Sequence, residues 1–261
     1  MSILQNELRV GRFTSSEIFK LTKMDKSGKK FGVPAMKYIR QTKDELLLEV
    51  SIDSDTEAKA LGWGHLCENI VHEMLGLDYV FCSNETKLHP TINFWSGSKD
   101  GYRDSKSTIV EYKAPFTKDS FCQLVRPLYH GLEGIKAMYA IRDGYNHEGF
   151  EYPAHTDGDK YYWQCVSNAI IEGVDFAELI VFMPYQSQLL DIMNAAQDDP
   201  AYNWMKYSAD SIPFIKDGGF FKNLNVIRFK LPEEDKIFLT NQVLKAGEML
   251  VNPGSIKSQA A

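Results

Sequence analysis

The sequence predicts an α/β fold in which a mixed central β-sheet is flanked by helices. Helical spacing of apolar residues dominates the first part, short strands follow in the middle, and helices and apolar strands then alternate to the end. No convincing linker divides the 261 residues. We therefore expect one domain over residues 1–261, of which residues 251–261 form a flexible tail.

The first part of the chain is predicted to contain two helices. Thr14 or Ser15 can cap the first of them, which has the acidic Glu17 in its first turn. A basic loop at residues 26–30 follows, and apolar spacing then predicts the second helix at residues 35–49.

The clearest helix covers residues 56–77, because its apolar residues share one face. That stripe consists of Leu66, Cys67, Ile70, Val71, Met74 and Leu75. Glu68 falls at the edge of the stripe on a helical wheel. We therefore expect its carboxylate to be partly buried rather than fully solvated.

Three strands are predicted next, at residues 80–84, 91–95 and 108–113. The last of them has period-2 sidedness, so Ile109, Glu111 and Lys113 lie on one face while the residues between them lie on the other.

The rest of the chain alternates helices and strands around one predicted loop. Residues 118–142 are helical in part, and residues 143–159 are expected to form a polar loop rich in glycine and aromatic residues. The elements predicted after this loop are a helix at 161–173, an apolar central strand at 178–185, a strand at 226–230 and a helix from Pro232 to about Val251.

Composition excludes several classes of protein. No run of 18 apolar residues occurs, so we expect no membrane span, and residues 1–10 lack the pattern of a signal peptide. The cysteines are far apart, which disfavours a zinc site or an iron–sulfur cluster and fits a reducing cytoplasm. They are Cys67, Cys82, Cys122 and Cys165.

The net charge of −6 argues mildly against a nucleic-acid partner, but the basic residues cluster early, between Arg9 and Arg40. This asymmetry fits two interpretations equally well. One is a basic DNA-facing segment on an acidic body, and the other is a solvated basic face.

Residues 95–116 bring two carboxylates and a lysine to one point. A strand end carries Asp100, a tight turn follows, and the second strand carries Glu111 and Lys113. The two carboxylates are ligands that Mg²⁺ prefers, and the backbone carbonyl of Tyr112, between Glu111 and Lys113, could add another. Lys113 could orient water or neutralise charge, with a pKa lowered by burial or raised by the carboxylates. Taken alone, this pattern is more often an exposed charge pair.

Two residues outside this segment strengthen the metal-site interpretation. Glu68 is a carboxylate at the edge of an apolar stripe, and Gln164 lies between Trp163 and Cys165, where its amide could bond a metal-bound water or a phosphate. The alternatives are a solvated helix acid and a satisfied polar group at a packed edge.

Several stretches, in the same order, resemble the λ-exonuclease-like, YqaJ-type viral recombinase group of the PD-(D/E)xK nuclease superfamily. They are GRFTSSEI at 11–18, SGKK at 27–30, AKALGWGHLCEN at 58–69, SKDG at 98–101, EYKAPFT at 111–117 and Gln164 in its helix. The ordered set is far more specific than any one motif. The resemblance implies a single nuclease domain with a restriction-endonuclease-like core.

The resemblance also implies a role for each matching residue at the active centre. Asp100 and Glu111 would be metal ligands and Glu68 a further acid at the same site. Lys113 would be the catalytic lysine, and Gln164 would assist near it.

A second group would bind the terminal 5′-phosphate of DNA. Arg9 matches the position of a phosphate-binding arginine, and Ser16 matches a serine near the same site. Arg12 lies close enough to take the role of Arg9.

The chain departs from the family pattern at two places. Lys99 stands where the superfamily motif has proline, which should loosen the turn before Asp100. The segment 126–160 is longer than the corresponding segment of the family, so the resemblance does not define which residues line the DNA channel.

The activity implied is Mg²⁺-dependent 5′-to-3′ digestion of one strand of linear duplex DNA, with Mn²⁺ able to substitute and two ions per site. The 3′ single strand that remains would serve phage-type recombination. The implied partners are a single-strand annealing protein and two further copies of the chain, which together form a homotrimeric ring. The resemblance also implies that the protein acts in the cytoplasm of a bacterial host and is of phage or prophage origin. The alternatives are an endonuclease of the same fold and an inactive DNA-end-binding protein.

Overall fold

A five-stranded mixed sheet lies at the centre of the fold in the computed structural model, which describes residues 8–52, 59–82, 85–196, 202, 205 and 212–251. The strands in chain order are β1 (Phe13–Thr14), β2 (Tyr79–Phe81), β3 (Lys87–Leu88), β4 (Trp95–Gly97), β5 (Gly101–Arg103), β6 (Thr108–Lys113), β7 (Tyr145–His147), β8 (Phe150–Tyr152), β9 (Phe176–Phe182) and β10 (Leu224–Lys230).

The helices flank this sheet. They are α1 (Val33–Leu48), α2 (Lys59–Met74), α3 (Lys118–Tyr129), α4 (Gly134–Asp143), α5 (Gly158–Glu172), α6 (Leu189–Ala195) and α7 (Glu233–Val251), with short 3-10 helices at Ile18–Thr22, Asp104–Lys106 and Gln186–Gln188. Among the described residues, no helix is both long and apolar enough to cross a membrane.

The central sheet has the strand order β10-β9-β6-β5-β2. Strands β6 and β9 are parallel, whereas the other neighbours are antiparallel, so the predicted mixed sheet is confirmed. The apolar strand that was predicted to be central at 178–185 is β9, and it lies between two neighbours as expected.

Strand β6 separates two apolar cores. Ile109 packs into the larger core with Val166 of α5, whereas Val110 and Tyr112 pack on the opposite face with Trp63 of α2. The period-2 sidedness of the strand is therefore confirmed, and a helix covers each face of the sheet.

A smaller sheet lies beside the central one. Strand β1 runs parallel to β4, and the backbone N–H of Ser15 donates to the carbonyl of Ser96 over 3.0 Å. This pairing brings the N-terminal segment alongside the residues that lead to Asp100.

Three local predictions are wrong. The strand predicted at 91–95 is a turn, and strand β4 begins only at its last residue, Trp95. The predicted first helix is replaced by strand β1 and the 3-10 helix Ile18–Thr22. The predicted loop at 143–159 contains the hairpin β7–β8, and α5 begins within it at Gly158. The start of the helix predicted at 56–77 and the tail residues 252–261 lie outside the described residues, and Val251 ends α7.

Candidate active site

The β5–β6 hairpin places Asp100 opposite the middle of β6. Asp100 directly precedes β5, and its backbone N–H donates to the carbonyl of Val110 over 3.2 Å. Its Oδ2 accepts a hydrogen bond from the backbone N–H of Tyr112 over 2.7 Å. These two bonds fix the carboxylate of Asp100 beside that of Glu111.

Lys113 lies between the two carboxylates. Its Nζ is 3.3 Å from Oε2 of Glu111 and 3.6 Å from Oδ2 of Asp100. Glu111 and Lys113 share a face because they are two residues apart on β6. The predicted convergence of Asp100, Glu111 and Lys113 is therefore present in the structure.

Glu111 is fully buried, and the side chains of Asp100 and Lys113 are only 15% and 17% exposed, so the pKa values of all three groups change. Burial, together with the negative charge of Asp100, raises the pKa of Glu111 well above its ordinary value. Burial also raises the pKa of Asp100, although Lys113 lowers it in part. Burial alone would lower the pKa of Lys113, but the two carboxylates outweigh it and raise that pKa, so the ammonium stays charged.

Helix α5 supplies two amides that hold Glu111. Nε2 of Gln164 donates to Oε2 over 2.7 Å, and Nδ2 of Asn168 donates to Oε1. Asn168 also donates to the carbonyl of Ser98 over 3.0 Å, in the loop that leads to Asp100. Sequence reasoning missed Asn168, although its position one helical turn after Gln164 on the same face could have indicated it.

Glu68 lies beside this group on helix α2. Its side chain is 18% exposed, as expected for a carboxylate at the edge of an apolar stripe. Its charge contributes to the raised pKa of Asp100. His65 Nδ1 lies 3.7 Å from Oε2 of Glu68, and this contact raises the pKa of His65.

A cleft of about 130 Å³ joins the predicted phosphate-binding residues to the carboxylates. Its lining includes Arg9, Ser16, Glu68, Ser98, Asp100 and Gln164. Arg9 Nη2 donates to Oγ of Ser16 over 3.5 Å. Arg12 instead donates to the backbone carbonyls of Asn93, over 2.9 Å, and Val10, over 3.4 Å.

The donor set at the hairpin fits a divalent cation. Two buried carboxylates repel one another and share one lysine, so a bound cation would relieve the repulsion. Mg²⁺ takes one or two carboxylates and keeps several waters. Among the described residues, no three His, Cys, Asp or Glu side chains form a metal-binding cluster, so Glu68 neighbours the Asp100–Glu111 pair without completing one.

No protein-family model matches the chain, and no curated protein sequence matches it. Two solved exonuclease structures share its fold. The alkaline exonuclease LHK-Exo from Laribacter hongkongensis, in complex with dAMP, has a TM-score of 0.57 and 13% identity over 98% of this chain and 95% of that one.

The second is a phage-related exonuclease from Haemophilus somnus 129PT, with a TM-score of 0.57 and 13% identity over 94% of this chain and 96% of that one. At such low identity the likeness shows the fold. The predicted restriction-endonuclease-like α/β fold is confirmed.

Proposed function

We propose that this protein is a Mg²⁺-dependent deoxyribonuclease that digests one strand of linear duplex DNA from its 5′ ends. The observation that carries this proposal is the pair formed by the buried Glu111 and the largely buried Asp100, with Lys113 between the two carboxylates. Buried like charges are costly to a fold, and they cluster where a protein needs them for chemistry.

Asp100 and Glu111 are the proposed metal ligands, with the carbonyl of Tyr112 as a further oxygen donor and Glu68 as a neighbouring acid. Mg²⁺ held there, as one ion or two, would supply an activated water and stabilise the charge on the phosphate and on the leaving oxygen. Mn²⁺ should substitute for it.

The side chains around the pair have separate tasks. Lys113 remains protonated and donates to the attacking water or to a phosphate oxygen, which stabilises the charge that develops there. Gln164 and Asn168 hold both oxygens of Glu111 and so fix the direction of its lone pairs.

The cleft beside the carboxylates is the proposed site for the terminal 5′-phosphate. A guanidinium can grip a phosphate with two parallel hydrogen bonds, and Arg9 lines the cleft together with Ser16. Arg12 donates elsewhere, to backbone carbonyls, so we assign the phosphate to Arg9. The complex of LHK-Exo with dAMP shows that a protein of this fold binds a nucleoside monophosphate.

The product is a duplex with a 3′ single strand, which suits recombination. We propose a homotrimeric ring around DNA, since a ring with cations inside and acids outside lets a chain of net charge −6 hold a polyanion. A single-strand annealing protein would then receive the exposed strand. Light scattering of the purified protein tests the ring, which a monomer would contradict.

The activity is tested by incubating end-labelled linear duplex, with 5′-phosphate or 5′-hydroxyl ends, and a covalently closed circle with Mg²⁺. We expect loss of one strand from the 5′-phosphorylated ends and an intact circle. Cleavage of the circle would identify an endonuclease of the same fold. Binding of DNA ends without turnover, in Mg²⁺ and in Mn²⁺, would contradict the proposed chemistry.

A further inference from the structure

The loop before Asp100 is attached to helix α5 by a buried ion pair. Nζ of Lys99 lies 2.6 Å from Oε1 of Glu172, and the two side chains are only 8% and 11% exposed. Lys99 stands where the motif of the PD-(D/E)xK superfamily has proline. The replacement of proline by lysine should by itself loosen this turn. The ion pair offsets that loss, because it ties the residue next to Asp100 to a rigid helix.

One face of α5 thus holds both carboxylate-bearing segments. Gln164, Asn168 and Glu172 are spaced by four residues, so they lie in one row along the helix. The first two hold Glu111, Asn168 also holds the carbonyl of Ser98, and Glu172 holds Lys99. Contacts with a single helix therefore add to the backbone bonds of the β5–β6 hairpin in setting the separation between Asp100 and Glu111.

Glu172 is also paired with a second lysine, which differs from Lys99 in its surroundings. Lys87 Nζ lies 2.7 Å from Oε2 of Glu172, but its side chain is 57% exposed and lies on β3. Burial alone would raise the pKa of Glu172, yet the hydrogen bonds from Lys87 and Lys99 lower it. The carboxylate is therefore charged, and of its two lysine partners only Lys99 is adjacent in sequence to Asp100.

We propose that Lys99 and Glu172 are positioning residues that set the place of Asp100 relative to Glu111. This inference rests on the proposed metal-dependent nuclease function. A buried ion pair contributes little net stability, but it defines geometry, since breaking it leaves a charge without a partner in the interior. A ligand displaced by a fraction of an ångström binds metal poorly and positions the attacking water badly.

The test compares Lys99→Met and Glu172→Gln with the matched control Lys87→Met. Each variant is assayed for kcat and KM on linear 5′-phosphorylated duplex and for Mn²⁺ affinity by calorimetry without DNA. We expect Lys99→Met and Glu172→Gln to lose about tenfold in both kcat and Mn²⁺ affinity while KM for DNA changes less than about twofold. Lys87→Met should stay within about twofold in every measurement.

A conservative variant separates positioning from folding. Lys99→Arg keeps the cation and should retain the Mn²⁺ affinity to within about threefold, whereas a loss equal to that of Lys99→Met would overturn the proposal. Glu172→Gln is isosteric, so it provides the test if Lys99→Met fails to fold. Unchanged Mn²⁺ affinity in Glu172→Gln, or an equal loss in Lys87→Met, would also overturn it.

The two proposals fail in different ways. If the unaltered protein binds Mn²⁺ but cleaves no DNA, the nuclease function fails, and the calorimetric comparison of variants still decides the roles of Lys99 and Glu172. If the protein cleaves DNA and the variants match it in kcat and Mn²⁺ affinity, only the positioning role fails.

Discussion

Gln164 of helix α5 donates its side-chain amide to Oε2 of Glu111 on strand β6 over 2.7 Å, and the two residues are 53 positions apart in the sequence. A hydrogen bond to a buried carboxylate orients it and opposes the repulsion from a neighbouring acid. The amide thus stabilises the charged form of Glu111 in a buried position that favours its neutral form.

Gln164→Ala should lower kcat by about tenfold and leave KM for DNA nearly unchanged, because it removes a bond that orients Glu111 and not a contact to DNA. Steady-state digestion of linear duplex measures both constants. Gln123→Ala is a suitable control, since this amide bonds Asp119 on the exposed face of α3. A rise in KM with kcat unchanged would assign Gln164 to DNA binding instead.

Asp100→Asn should abolish cleavage and yet stabilise the metal-free fold. The substitution leaves one buried carboxylate and one lysine instead of two carboxylates and one lysine, and the new amide can donate to Glu111. We expect a gain of about 1–2 kcal/mol in the free energy of unfolding, measured by urea denaturation in EDTA.

The Asp100→Asn variant should no longer be stabilised by Mg²⁺. A ligand that binds only the folded state stabilises it by mass action, so Mg²⁺ should raise the melting temperature of the unaltered protein and not that of Asp100→Asn. Equal shifts of the melting temperature in both proteins would show that Mg²⁺ binds at a site that does not include Asp100.

Stability should fall as pH rises in metal-free buffer. The pKa values of Asp100 and Glu111 are raised by burial, so the folded state keeps protons that the unfolded state releases. Their contribution is therefore fully present below the ordinary carboxyl range, about pH 4, and decreases as pH climbs above it. Urea denaturation across pH measures the slope, which should be shallower in Asp100→Asn.

Local periodicity was sufficient to predict much of this site. The alternation along β6 placed Glu111 and Lys113 on one face, and the apolar stripe of α2 placed Glu68 at its edge. Both inferences depend only on residues close together in sequence, which a helix or strand brings to one side. The central strand and the flanking helices were predictable for the same reason.

Contacts between distant segments were not predictable in this way. Asn168 and the Lys99–Glu172 pair act through the approach of α5 to the loop before Asp100, which no periodicity encodes. The composition of residues 143–159 predicts a loop, and the hairpin β7–β8 within it is not visible in the sequence because its strands, three residues long, are too short to show alternation. Its turn also places a non-glycine residue, Glu148, at positive φ.

Arg9→Ala should remove the preference for a 5′-phosphate, because Arg9 lines the cleft that leads to Asp100. We expect the ratio of kcat/KM on 5′-phosphorylated and 5′-hydroxyl ends to fall about tenfold. Arg12→Ala is the matched control and should keep that ratio, since Arg12 bonds backbone carbonyls. If Arg12→Ala loses the preference and Arg9→Ala keeps it, Arg12 binds the 5′-phosphate instead.

Gly97→Ala should destabilise the protein and reduce cleavage together. An added Cβ would overlap Oδ1 of Asn168 and Oγ of Ser15, so helix α5 must move away from β4. Over-packing of this kind costs about 1–3 kcal/mol, and it would also displace the amide of Asn168 from Glu111.

Gly76→Ala is the matched control, because a Cβ there meets no atom within 4 Å. Thermal unfolding and kcat should therefore stay near their original values in this variant and fall in Gly97→Ala. If Gly97→Ala were destabilised but kept its kcat at a temperature where it is folded, the close approach of α5 to β4 would serve stability alone. The geometry of Glu111 would then not depend on the row of side chains that includes Asn168.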